Sequence, residues 1–165
     1  MRVRRATPQV EVAPGERLLA SASSESGVAA GTREALYLPV AGMAVRIPWE
    51  QIESVDWDGD SEVLRVVEVG EWGEPRPDHR LVLTSPGHFL ELVRERVTAS
   101  VVLQRHVAIS GKRGVKVIAR RPPGPPAASL VWLFEYDEGI DPDDPLVALA
   151  AEEALHAARE EVGEA

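Results

Sequence analysis

Arg46-Ile-Pro-Trp-Glu-Gln-Ile-Glu-Ser-Val-Asp-Trp57 is the stretch around which the rest of the chain reads, and it holds two of the four Trp residues. Pro48 has no amide hydrogen to give a ladder, so a strand stops there. After it, Ile52, Val55 and Trp57 are apolar while Glu50, Glu53, Asp56 and Asp58 are charged. This alternation predicts a half-buried strand leaving a tight corner, with indole rings large enough to anchor a small core. Trp49, Trp57, Leu36 and, further on, Phe89 are its expected centre.

Upstream, residues 1–14 make a poor strand candidate and end at Pro14-Gly15, a turn signal. A first strand is predicted over 16–22, then a turn over 23–27. Residues 28–38 finish apolar on both faces, as an interior strand does. Val40-Ala-Gly42 turns the chain into a strand over 43–47. Downstream, Asp58-Gly-Asp60 is a hairpin turn, because Asp-Gly readily adopts positive φ. Its partner strand covers 62–69, a Gly- and Pro-bearing loop covers 70–78, and a short apolar strand covers 79–84. The count is six strands before Ser85.

At Ser85-Pro86 the character changes to that of a helix start. Phe89, Leu90, Val93, Val97 and Val101 recur at helical spacing, which predicts a helix running to about Arg105. Residues 107–109 and 115–119 read as a hairpin around the turn 110–114. The Pro-rich run 122–126 is a stiff connector. Residues 129–136, with Trp, Phe, Tyr and branched side chains, are the most strand-like segment. Asp144 caps and Pro145 opens a last helix to about Val162, whose apolar stripe (Val147, Ala151, Ala154, Ala158, Val162) is narrow and Ala-rich. The predicted fold class is α+β. A single domain, 1–165, consists of an antiparallel barrel-like sheet with a capping helix over 15–105, then a C-terminal hairpin, strand and helix extension over 106–165.

Composition narrows the function classes. The 165 residues are 44% hydrophobic, enough for one ordinary core. No apolar run approaches the ~18 residues of a membrane span, and the basic start 1–5 is not followed by the apolar core of an export signal. A cytoplasmic location is expected by default. Without Cys there are no disulfides and no thiolate metal sites. The net charge of −9 is uneven: residues 135–165 carry 11 acids and one base, so they account for −10, and the remainder is +1. That balance argues against general nucleic-acid binding.

Gly15-Glu-Arg-Leu-Leu-Ala-Ser-Ala22, Gly31-Thr-Arg-Glu-Ala-Leu-Tyr-Leu38 and Arg46-Ile-Pro-Trp-Glu-Gln-Ile-Glu53, followed by a helix, resemble bacterial pleckstrin-homology-like domains of the actinobacterial kind. The resemblance covers about residues 15–105. It implies a strongly bent, partly open barrel capped by a helix and used for binding rather than catalysis. That fold has seven strands where the present reading counts six, and the segment after Arg105 lies beyond it. No basic phosphoinositide-type loop occurs between the first strands, so the resemblance carries over no ligand-binding residues.

The chemistry-bearing motifs are few. Gly111-Lys-Arg-Gly114 lacks the spacing and the Ser or Thr of a phosphate-binding loop. The four His residues (79, 88, 106, 156) are scattered; only His88 and Glu91, three apart on a predicted helix, have the spacing of a metal pair, and surface residues explain them better. No G-x-S-x-G elbow marks a nucleophile. The acidic runs 56–60 and 137–144 read as a hairpin turn and a helix cap rather than calcium loops. What stands out is a basic patch: Arg105, His106, Lys112, Arg113, Lys116, Arg120 and Arg121 lie within seventeen residues that contain no acid. Arg105, Lys112, Arg113, Lys116, Arg120 and Arg121 are the candidate anion- or partner-binding residues, and pairing with the acidic tail is the competing explanation.

The expectation is a non-enzymatic binding or scaffold module for a protein partner, self-association being one version of it, with no cofactor, no metal and no catalytic residues. The alternative is a nucleic-acid or anionic-ligand binder working through the 105–121 hairpin.

Overall fold

A computed structural model describes residues 10–70, 75–122 and 129–164. The chain forms two compact units, residues 1–99 and 100–165. The Pro-rich connector lies mostly outside the described residues, as do the first nine residues and the centre of the 70–78 loop. Among the described residues no helix is long and apolar enough to cross a membrane.

The first unit is an antiparallel sheet of β1 (Ala20–Ser24), β2 (Gly27–Gly31), β3 (Ala35–Val40), β4 (Met43–Pro48), β5 (Ile52–Asp58), β6 (Val63–Glu68) and β7 (Asp78–Thr84), followed by α1 (Gly87–Ala99). The strand order is β4-β3-β2-β1-β7-β6-β5. The sheet does not close into a barrel: β4 and β5 are its two edges. The expected six strands are seven, because residues 28–38 divide at Thr32–Glu34. There the Thr32 hydroxyl accepts from the Glu34 and Ala35 amides and turns the chain back on itself. Ala41 and Gly42, both at positive φ, close the next hairpin as expected.

The pivotal stretch 46–57 folds in three pieces. Pro48 ends β4, Trp49–Gln51 make one 3₁₀ turn, and β5 begins at Ile52. A bulge between Ile52 and Ser54 explains the uneven apolar spacing. The extra residue lets Ile52 share a face with Val55 and Trp57, which lie opposite Val66 and Leu64. Trp49, Leu36 and Phe89 are fully buried, as the sequence predicts, and pack with Leu38, Ile47, Ile52, Leu64, Leu83 and Val93. Trp57 is only half-buried, because it lies near the tip of β5, an edge strand with no paired strand on its far side among the described residues. Burial of Phe89 and Val93 places α1 over this core.

Two helix expectations need correction. α1 starts at Gly87, after a left-handed Ser85, one position later than a Ser cap and Pro first turn would give. It stops at Ala99, not near Arg105: Val101, Val102 and Leu103 already belong to a strand, where branched side chains are less crowded than on a helix.

The second unit is a three-stranded antiparallel sheet, order β10-β9-β8, built from β8 (Val101–Ser110), β9 (Arg113–Arg120) and β10 (Val131–Tyr136), with α2 (Pro145–Glu161). α2 begins as the sequence predicts: the Asp144 carboxylate accepts from the Leu146 amide, and Pro145 occupies the first turn. Its narrow stripe is buried at Val147, Ala151, Ala154 and Ala158. Ala154 and Ala158 pack on Leu103, Val117 and Ala119, with Trp132 and Phe134 at the margin. Small side chains let the helix lie close on the sheet, which is why an Ala-rich stripe suffices.

Candidate functional site

The β8–β9 hairpin brings the sequence's basic residues into register. His106 faces Lys116 across the strands, and Lys116 faces Glu135 on β10. Alternation places Lys116 and Arg120 on one face and Val115, Val117 and Ala119 on the other, which carries α2.

The hairpin is not a free cationic surface. Arg105 is exposed and forms a two-pronged ion pair with Glu161 on α2, its Nε 3.1 Å from Oε2. His106 Nε2 and Asp137 Oδ2 share a hydrogen bond at 2.7 Å, and the same oxygen accepts from the Gly114 amide at 2.7 Å. The His106 hydrogen bond, and after it the Gly114 amide, hold the Asp137 carboxyl below the usual range. Lys116 Nζ lies 3.9 Å from Glu135 Oε1. Arg113 is exposed and donates to the Glu138 carbonyl at 3.3 Å. Arg120 is 5% exposed and donates to the Ser100 hydroxyl at 2.7 Å. Arg121 is half-buried, with its amide bonded to the Ser100 carbonyl. Lys112 is exposed at the turn. The six candidates therefore split: Arg105, Lys112, Arg113 and Lys116 lie along the accessible hairpin, whereas Arg120 and Arg121 are drawn inward at its base. The acids that meet this hairpin come from 135–161, the segment carrying the chain's charge excess.

The histidines follow one pattern. His79 pairs with Glu68, His88 with Glu91, His106 with Asp137 and His156 with Glu160. His88 and Glu91 are almost fully solvated, the surface pair the sequence suggests. Among the described residues no three His, Asp or Glu side chains gather in a group that could hold a metal ion.

A second constellation, in the first unit, was not visible in the sequence. Residues 10–18 form no strand, yet Val10, Val12 and Leu18 pack on Ala30, Ala35 and Tyr37. Ala30, Tyr37 and Arg46 are successive cross-strand neighbours on β2, β3 and β4, so this is the face of the sheet away from the core. Pro14 and Gly15, the latter at φ +83°, make the predicted turn, closed by the Glu16 amide on the Ala13 carbonyl at 3.0 Å. The turn aims Glu16 at the sheet.

There its carboxylate, 5% exposed, accepts from Tyr37 OH at 2.6 Å, from Thr32 Oγ1 at 2.8 Å and from Arg46 Nε and Nη2 at 3.1 and 3.3 Å. Tyr37 OH in turn accepts from the Ala13 amide at 2.9 Å. Burial alone would raise the Glu16 pKa, but the bonds from Arg46, Tyr37 and Thr32 outweigh it and hold the group below its ordinary value. Burial, then the Glu16 bond, pushes the Tyr37 phenol up.

Comparison with protein-family models, with curated proteins and with solved structures returned no match.

Proposed function

We propose that the chain is a non-enzymatic binding module whose first unit is a pleckstrin-homology-like domain. Seven antiparallel strands followed by a helix over the core, in place of the six first counted, support that family reading. The observation that carries the binding function is the outer face of β2–β3–β4, which already seats an irregular segment, residues 10–18, through apolar contacts and one clamped carboxylate. A sheet face that holds a peptide in this way has the features of a protein-binding surface: a small apolar floor and a few convergent polar groups.

The polyanion alternative is disfavoured by the hairpin. Arg105, His106 and Lys116 each have a carboxylate of their own unit in place, and a phosphate would have to displace it. The two readings separate in a titration of labelled duplex DNA and of anionic vesicles at several salt concentrations. The module reading expects no DNA complex tighter than a nonspecific ~10⁻⁴–10⁻⁶ M at physiological salt. A submicromolar, salt-sensitive complex lost in a Lys112→Glu, Arg113→Glu variant would replace it with the polyanion binder.

A further inference from the structure

We propose that the outer face of β2–β3–β4 is a docking site for a short acidic peptide, and that residues 10–18 occupy it in cis as a resident pseudo-ligand. This rests on the module reading and names the class of partner.

The geometry is that of a carboxylate receptor. Thr32, Tyr37 and Arg46 come from a turn and two adjacent strands, 16, 21 and 30 residues beyond Glu16, and their donors converge on its one carboxylate. Two of the three are hydroxyls, and the third is a guanidinium, the side chain best suited to a carboxylate. Tyr37 and Arg46 are paired directly across β3 and β4, so a rigid ladder fixes their spacing whether or not the strap is seated. Below them lies a floor of Ala30, Ala35 and the Tyr37 ring.

The seated segment defines the ligand: apolar residues at Val10, Val12 and Leu18, a Pro-Gly turn, and an acid at Glu16. Its hold is local. Among the described residues, 10–18 pair with no strand; Leu19 N to the Gly31 carbonyl at 2.9 Å is the bond that leads into β1. A segment attached by a few side chains opens at lower free energy than a strand within the sheet. Two titratable groups besides Glu16 face the clamp, the Arg46 guanidinium on β4 and the neutral Tyr37 phenol on β3, and Arg46 also acts on Glu50 in the 3₁₀ turn. The receptor therefore carries one positive charge at its centre.

The test uses the full chain. In Glu16→Ala, hydrogen exchange at Ala13 and Leu19 is expected to quicken at least tenfold while exchange at Leu64 in the core is unchanged. A synthetic peptide of residues 10–18 is then titrated into that variant. Binding is expected with a Kd below about 1 mM, at least tenfold weaker when the peptide carries Gln for Glu, and lost when Arg46→Ala is added. Unchanged protection of the strap in Glu16→Ala, no binding of the peptide, or equal binding of the Glu and Gln peptides would each overturn the proposal. Should Glu16→Ala fail to fold, exchange in the parent protein decides: strap amides that open only with the whole unit would overturn it. Failure of the peptide with no DNA complex removes the acidic peptide as the ligand of this face and leaves the face itself to the module reading; a tight DNA complex removes the module reading.

Discussion

The indole Nε1 of Trp49 donates to the Thr32 carbonyl at 2.9 Å, tying the 3₁₀ turn after β4 to the turn between β2 and β3. Both ends of this bond are buried, and Thr32 also donates to Glu16 on the opposite face of the sheet. One threonine thus links the core to the outer strap.

The bond gives the first prediction. Trp49→Ala removes a ring that is 1% exposed and is expected to cost about 3–5 kcal/mol. Trp49→Phe keeps most of the apolar volume but leaves a buried carbonyl without its donor, costing about 1–3 kcal/mol. Trp57→Ala, at a half-buried edge position, is expected to cost less than Trp49→Ala. Urea denaturation of the three variants checks the order, and a Trp57 variant as weak as the Trp49 one would show that the edge is packed more firmly than its burial indicates.

Gly114 supplies the second. A Cβ there would lie 1.8 Å from the Val107 carbonyl oxygen and under 3 Å from two further backbone atoms, none of which a side-chain rotation can clear. Gly114→Ala must therefore break the β8–β9 ladder and is expected to exceed the ~1–3 kcal/mol of an overpacked core. Gly111→Ala meets open space and suffers only its left-handed φ of +61°, about 1–2 kcal/mol. Thermal melts of the pair should differ clearly, with Gly114→Ala the lower.

Much of this fold was legible because local chemistry decided it. Asp144-Pro145 started a helix, Ala41-Gly42 turned a hairpin, and the stripe from Val147 to Ala158 faced inward as its spacing implied. The failures had a common cause. The break at Thr32 depends on a hydroxyl capping two amides, a contact that hydrophobic alternation does not register. The end of α1 at Ala99 came six residues early, since the Val101 to Leu103 run satisfies a helical stripe and a strand equally well. The Glu16 clamp was invisible because its donors lie 16, 21 and 30 residues away and meet only after the sheet has formed. The basic patch was readable as a cluster, but the inward turn of Arg120 was not, since alternation gives the face and not what covers it.

The clamp also sets a pH dependence. The folded pKa of Glu16 is depressed below its ordinary 4.5. Its stabilising contribution is therefore complete above that value and is lost as pH falls through the lower folded one. The difference in Tm between the parent and Glu16→Gln should be constant at neutral pH and shrink as the pH falls below 4.5 towards the depressed folded value. A difference that grows on acidification would mean that the neutral acid, not the carboxylate, is the bound form.

The last prediction concerns how the basic hairpin should be probed. Charge alone would nominate Arg120→Glu as a knock-out of anion binding. Burial says otherwise: Arg120 is 5% exposed, and its guanidinium is bonded to the Ser100 hydroxyl. A carboxylate at that position would be desolvated and would lose the bond, an insult of about 3–5 kcal/mol by the standard of broken buried pairs. Lys112→Glu and Arg113→Glu lie on the exposed turn and should stay within about 0.5 kcal/mol of the parent. Melts followed by far-ultraviolet circular dichroism are expected to show Arg120→Glu losing the second unit well below the parent temperature, with the two turn variants superimposed on it. If Arg120→Glu instead melts with the parent, the arginine is reachable from solvent and returns to the list of candidate ligand contacts.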